Sequence, residues 1–216
     1  PFFIMAVVSY GVSTELDAVN SILMSVGESP VNTLTVQSPE VAIAQSTLRQ
    51  VCREILAEGW SFNLETDYPI DTDSNDQVQV PNNVLKIDLN IYQHGKDYNI
   101  VKKKDNNVLK IYDKTSHSFN FPNAEKLYFD IVWMVAFEDC PQPIKDYITA
   151  RAARIASSRM VANPEAVKLL EADEAYARAL AIEYDTSQGD HNIFNDYQYQ
   201  QDANTTYRPF KVLRRR

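Results

Sequence analysis

Hydrophobic periodicity changes twice along this chain, and that double change limits the fold more than any other feature. Leu16, Val19, Leu23 and Val26 recur at steps of 3, 4 and 3, which marks one face of an α-helix. Thr14 and Asp17 fit a capping box at its start, and Gly27 can close it in a left-handed conformation. A second stripe, Val41, Ala44, Leu48, Val51 and Ile55, follows Ser38-Pro39, an N-cap and a first-turn proline. Past Phe62 the period falls to near two. Val78, Val80 and residues 84–92 carry β-branched side chains, and 98–103 and 108–112 flank Asp105-Asn106 as a hairpin. Residues 127–137 fit a buried strand by composition and a helix by length. The longer period then returns in Ile144, Ile148, Ala152 and Ile155. After Asn163-Pro164 it recurs in Leu169, Ala172, Tyr176 and Ala179, with Leu180 alongside.

This pattern predicts helices near 14–26, 39–58, 141–161 and 164–187, and mainly antiparallel strand over 78–137. The acidic, polar run 65–76, with Pro69 inside it, reads as a loop. Helices segregated from strands along the chain define an α+β fold. The expected architecture is a four-helix bundle from residues 1–62 and 138–189, an inserted antiparallel β domain over 63–137, and an extended C-terminal tail over 190–216. Leu16, Val19, Leu48, Val51, Ile55, Trp60 and Phe62 are the expected structural core. Trp60 and Phe62 alternate, so an extended segment would point them to one face.

Composition narrows the function. A net charge of −8 argues against a protein that coats DNA, because phosphate contact needs Lys and Arg. Two cysteines make no disulfide framework, and Cys52, beside the helical stripe, reads as a buried thiol. His94, His117 and His191 are scattered without metal-ligand spacing, so no metal and no cofactor is expected. No apolar run reaches the length of a membrane span, and membrane insertion is not expected.

Three local patterns compete for a chemical role. Asp71, Asp73, Asn75 and Asp76 resemble the start of a calcium loop, but the required glycine is replaced by Asp76, and a solvated acidic loop is the simpler reading. Glu65 and Asp67 are the best candidates for a pair of catalytic carboxylates, because Trp60, Phe62 and Tyr68 lie near them in sequence. Lys102-Lys103-Lys104 reads as a solvated hairpin tip or a guarded edge strand. The tail is of another kind. Tyr207, Arg208, Phe210, Lys211, Val212, Leu213, Arg214, Arg215 and Arg216 combine apolar anchors with cations, as partner-binding segments do.

Three motifs, in order and spacing, carry a resemblance. Glu15-Leu16-Asp17-Ala18-Val19-Asn20, Gly27-Glu28-Ser29-Pro30-Val31-Asn32-Thr33-Leu34 and Glu58-Gly59-Trp60-Ser61-Phe62-Asn63 resemble the tail tubular protein A family of short-tailed bacteriophages. Tyr112-Asp113-Lys114-Thr115-Ser116 and the C-terminal helix pair resemble it too, so the likeness runs over 15–185. The resemblance favours a strand over 127–137. It implies a non-enzymatic adaptor, or gatekeeper, in the virion tail. Such a protein forms a dodecameric ring below the portal protein and above the nozzle, tail tubular protein B. It supports tail fibres and lets DNA pass through the channel without sequence-specific binding. Two rival readings are an envelope polysaccharide hydrolase and a host-surface carbohydrate-binding module.

Overall fold

The computed structural model describes residues 13–35, 38–90, 98–122, 126–161 and 163–188. The tail 190–216, with the partner-binding candidates Tyr207 to Arg216, lies outside the described residues. Helix α1 spans Glu15–Ser25 and begins in a full capping box: Thr14 accepts from the Asp17 N–H, and Asp17 accepts from the Thr14 N–H. It ends at Gly27, whose φ of 85° lets the Glu28 N–H return to the Leu23 carbonyl at 2.9 Å. The Asn20 amide then pins the following turn, donating to the Val31 carbonyl at 2.9 Å and accepting its N–H at 2.8 Å. Helix α2 spans Pro39–Leu56, capped by Ser38. Helix α3 spans Gln142–Met160 and helix α4 spans Pro164–Gln188.

Helix α3 is the common partner of the other three. It carries no single strong apolar stripe because it is covered on more than one side. Ile144, Tyr147, Ile148, Ala152, Ala153, Ala156 and Ser157 are all buried, and the small ones among them let neighbouring helices approach closely. Lys145 is buried too. Its ammonium donates to the Glu138 carbonyl at 2.7 Å and lies 5.9 Å from the Phe137 ring centre.

The strands are β1 (Leu64–Asp71), β2 (Val84–Leu89), β3 (Ile100–Asp105), β4 (Val108–Asp113) and β5 (Lys126–Trp133). They form an antiparallel three-stranded sheet in the order β1-β5-β2 and a β3-β4 hairpin. Two expectations are corrected here. Most of the run read as a loop is the edge strand β1; it shows no alternation because it is largely exposed on both faces, and an edge tolerates Pro69. The strand expected over 127–137 ends at Trp133, and a short 3-10 turn occupies Phe137–Asp139. Val78 and Val80 lie outside named strands, yet both are buried; the Val78 carbonyl accepts from Ile111 and the Val80 N–H donates to Leu109.

Buried apolar residues fall into two clusters. One lies among the helices and includes Val19, Leu48, Val51, Ile55 and Trp60, with Phe62 half-buried against it. The other lies in the β region around Ile111, Phe121, Leu127, Phe129 and Ile131. Leu16 is only half-buried: α1 presents Ala18, Val19, Ile22 and Leu23 inward, a face turned from the one that the sequence stripe describes. Residues 60–63 make a turn rather than an extended run, because a buried amide gathers the local backbone. Asn63 accepts the Trp60 N–H at 2.8 Å and donates to the carbonyls of Leu56 and Trp133, each at 2.9 Å. The turn needs Gly59, at φ 88°, where a Cβ would also sit 3.2 Å from Val132 Cγ2. Asn63 thereby ties the end of the first helical pair to the end of β5.

Candidate assembly surface

Helix α4 carries a stripe that the sequence marks, and the structure turns it outward. Ala177 and Ala181 are buried, whereas Leu169 is 72%, Tyr176 68% and Leu180 41% exposed. Separations of seven and four residues put these three on one line, roughly 16 Å long at 1.5 Å per residue. Ala172 and Ala179 are exposed beside it. Scattered apolar side chains are ordinary on a protein surface, and an aligned row of them is a candidate interaction site.

The opposite flank of α4 is fastened by charge, which sequence reasoning missed. Arg154 pairs with Glu174. Arg151 lies 3.6 Å from Glu54 on α2, and 3.9 Å from both Glu58 and Glu174. Arg178 reaches Glu58 at 3.4 Å. At the centre, the buried Tyr147 hydroxyl accepts from Arg151 at 3.2 Å and from Arg178 at 2.9 Å. Burial alone would lower the pKa of Arg151; the Tyr147 contact and the nearby Glu174 and Glu54 raise it above its ordinary value. Lower down, Asp185 accepts from the Ser61 N–H at 2.7 Å and hydroxyl at 2.6 Å. Apart from Tyr147 and Arg151, one helical turn apart, these partners stand 20 to 124 positions from each other and leave no local pattern. The only available signal was the excess of Arg at the edges of the α3 stripe.

The catalytic candidates separate. Glu65 lines a cleft of about 520 Å³ with Phe62, Tyr68, Trp133 and Asp139, and its carboxylate accepts from Trp133 Nε1 at 3.0 Å. Asp67 is not among the lining residues. A β-bulge falls between Glu65 and Tyr68, and Asp67 sits in it at φ 57°. Its carboxylate accepts from Asn90 on the far side of the sheet strand β5 at 2.6 Å, and its N–H donates to Asp130 at 3.2 Å. The bulge breaks the period of two that would have aimed both acids the same way.

The calcium-like run is folded onto its own backbone. Asp73 accepts from the N–H groups of Asn75 at 2.8 Å and Gln77 at 3.0 Å, and Asp71 pairs with Lys126 at 3.4 Å. Among the described residues, no group of three His, Cys, Asp or Glu is placed to hold a metal ion. The lysine run is not uniformly solvated. Lys102 donates to the carbonyls of Leu85 at 2.7 Å and Val84 at 3.3 Å, and Lys103 sits 4.5 Å from the Tyr112 ring centre. In the Tyr112–Ser116 motif, burial disfavours the charge of Asp113. Four hydrogen bonds outweigh it, from the Thr115 N–H, the Ser116 hydroxyl and the N–H groups of Asn99 and Ser116. They hold this carboxyl well below the usual carboxylate range.

The α+β scaffold seats α4 firmly and leaves an apolar row facing outward, and comparison with known proteins supplies the family. The family model described as "Tail tubular protein" matches residues 16–191, and the chain belongs to the tail tubular protein family. It is similar to tail tubular protein A of Klebsiella phage KP34, with 28% identity over 143 residues that span 63% of this chain and 70% of that protein. The protein is thus a structural component of a bacteriophage virion tail. No helix among the described residues is long and apolar enough to cross a membrane.

Proposed function

We propose that this chain is the tail adaptor, a non-enzymatic subunit that closes into a dodecameric ring between the portal protein and the nozzle and leaves a channel for DNA. The exposed row Leu169, Tyr176 and Leu180 carries this reading, because it gives each copy an apolar face that its own fold leaves uncovered. In the ring this face seats against a neighbouring copy, and many weak contacts add up to a stable collar. The helical residues 1–62 and 138–189 act as the ring-forming domain, built on their four helices as a bundle. The inserted β domain, 63–137, projects from it toward other tail parts, fibres included. An overall charge of −8 suits a channel wall that DNA passes without adhering.

The tail 190–216 extends onto a neighbour or the portal through Phe210, Val212 and Leu213, with its cations meeting acidic surface. Its five cations and three acids leave a charge of −10 on the remainder of the chain. The test is direct. Mixing the protein with its phage's portal should give a ring seen by electron microscopy, and Tyr176→Glu should abolish it while the helical content stays unchanged. Ring formation by the Tyr176→Glu protein would refute the assignment of this face.

A further inference from the structure

The cleft beside Glu65 combines apolar walls with uncompensated negative charge. Its volume is about 520 Å³, and Phe62, Tyr68, Trp133 and Met134 line it. The Tyr68 and Trp133 rings meet edge to face with centres 5.3 Å apart, and Glu65 holds Trp133 Nε1 at 3.0 Å, so the aromatic wall is set by contacts within the fold. The charge comes from Glu65 and Asp139. Both are exposed, and no Lys or Arg lines the cleft. Among the described residues neither acid forms an ion pair. Such a site suits apolar groups flanked by cations.

Helix α4 leads to a segment of matching chemistry. Asp185 is bonded to Ser61, the chain neighbour of Phe62, so α4 ends at Gln188 about one turn beyond the rim of the cleft. Further on stands Tyr207-Arg208-Pro209-Phe210-Lys211, in which a cation sits on each side of an apolar pair. Residues 189–206 separate it from α4. Those residues can reach up to ~60 Å at about 3.3 Å per residue, and a folded chain of this size is on the order of 40 Å across. The cleft at the end of the same α4 needs little of that length. The equivalent cleft on an adjacent copy needs most of it.

We propose that the Glu65–Trp133 cleft is the docking site for residues 207–211 of an adjacent copy of this chain. Pro209 and Phe210 cover the Tyr68 and Trp133 rings, while Arg208 and Lys211 meet Glu65 and Asp139. This rests on the adaptor reading, and it selects the neighbouring copy over the portal as what the tail holds. The Arg208-Pro209 bond biases the backbone toward the extended form, which lessens the entropy lost on seating. One such link per copy, repeated around a ring, adds to the contacts made by α4.

The probe is a synthetic peptide of residues 205–213 with a fluorophore and a benzophenone amino acid in place of Phe210. It is titrated into full-length protein diluted to the monomer, then irradiated. Saturable binding is expected, with crosslinks to residues 62–68 or 133–139. Glu65→Lys and Asp139→Lys should each weaken binding about tenfold or more, and added salt should weaken it in the wild type. The two substitutions lie on different elements, so one serves if the other fails to fold. A peptide that does not bind overturns the proposal, whether the cleft has no affinity for it or is already filled by the chain's own segment. Crosslinks elsewhere, or an affinity that charge reversal leaves unchanged, overturn it too. Mixing with the portal separates the two readings. Rings without peptide binding strike the docking site alone, whereas peptide binding without rings upholds it and strikes the adaptor assignment.

Discussion

Helices α2 and α4 carry stripes written in nearly the same spacing, and the fold uses them in opposite ways. On α2, Val41, Ala44, Leu48, Val51 and Ile55 are all buried. On α4, the buried residues are Ala177 and Ala181, and the larger Leu169, Tyr176 and Leu180 face outward. The difference lies in what each helix meets. Helix α2 closes on α1 and α3, whereas α4 is laid along α3, with a flank of ion pairs toward α2. An apolar stripe therefore does not say which way a helix face turns: the same spacing is buried within the fold on α2 and exposed on α4.

The largest expected effect is inside the α2 stripe and its end. Trp60→Ala should cost about 3–5 kcal/mol and Leu48→Ala about 2–5 kcal/mol in chemical denaturation, because both side chains are buried and leave cavities. If α4 is the opposite case, Leu169→Ala and Tyr176→Ala should each move monomer stability by less than about 0.5 kcal/mol, as surface changes do, while self-association by light scattering falls sharply. A loss of stability comparable to that of Leu48→Ala would make the two helices alike and remove the distinction.

Between these extremes stands Asp113→Asn, which weakens charge-assisted hydrogen bonds in a loop of the β region and should cost about 2 kcal/mol near neutral pH. The sign with pH is fixed. The folded-state pKa lies below the unfolded value of about 3.9, so the contribution is complete above that pH and is lost as pH falls below it. The wild-type advantage over Asp113→Asn should therefore shrink in acid, measured by urea titration. Glu65→Gln belongs with the small effects and should change stability by less than about 1 kcal/mol, since its bond to Trp133 can survive through the amide oxygen. It should leave any polysaccharide assay at background. Turnover by wild type that Glu65→Gln abolishes would instead favour the hydrolase reading.

Helices and hairpin were legible because they rest on local rules: Thr14 with Asp17, Ser38 with Pro39, and a polar turn between paired runs, although Asp105 pairs with Val108 and the turn falls one residue later than expected, at Asn106-Asn107. Strand β1 was illegible because it is an edge with little burial and therefore no period to read. The 60–63 turn was missed because it depends on a buried side-chain amide rather than on a period: Asn63 bonds locally to Trp60 and Leu56 and also to Trp133, 70 positions away. Leu16 misled because spacing identifies a face only to within a turn, and Ala18 was a small residue in the inward position. On α4, the sequence placed Leu169 and Tyr176 on one stripe and withheld the direction that the stripe faces, which in the structure is outward.

The central place of α3 also sets an order of events during synthesis. The inward faces of α1 and α2 close on a helix that begins at Gln142, so neither can be completed until the whole β region has been translated. At about 5–20 residues per second, that interval is on the order of ten seconds. Through it the nascent chain holds two sticky helices beside a β unit whose contacts are more local and close first. The seal then forms late and from the C-terminal side. A chain truncated before α3 should accordingly be insoluble rather than partly folded, and slow emergence of α3 is where misassembly between nascent chains would start.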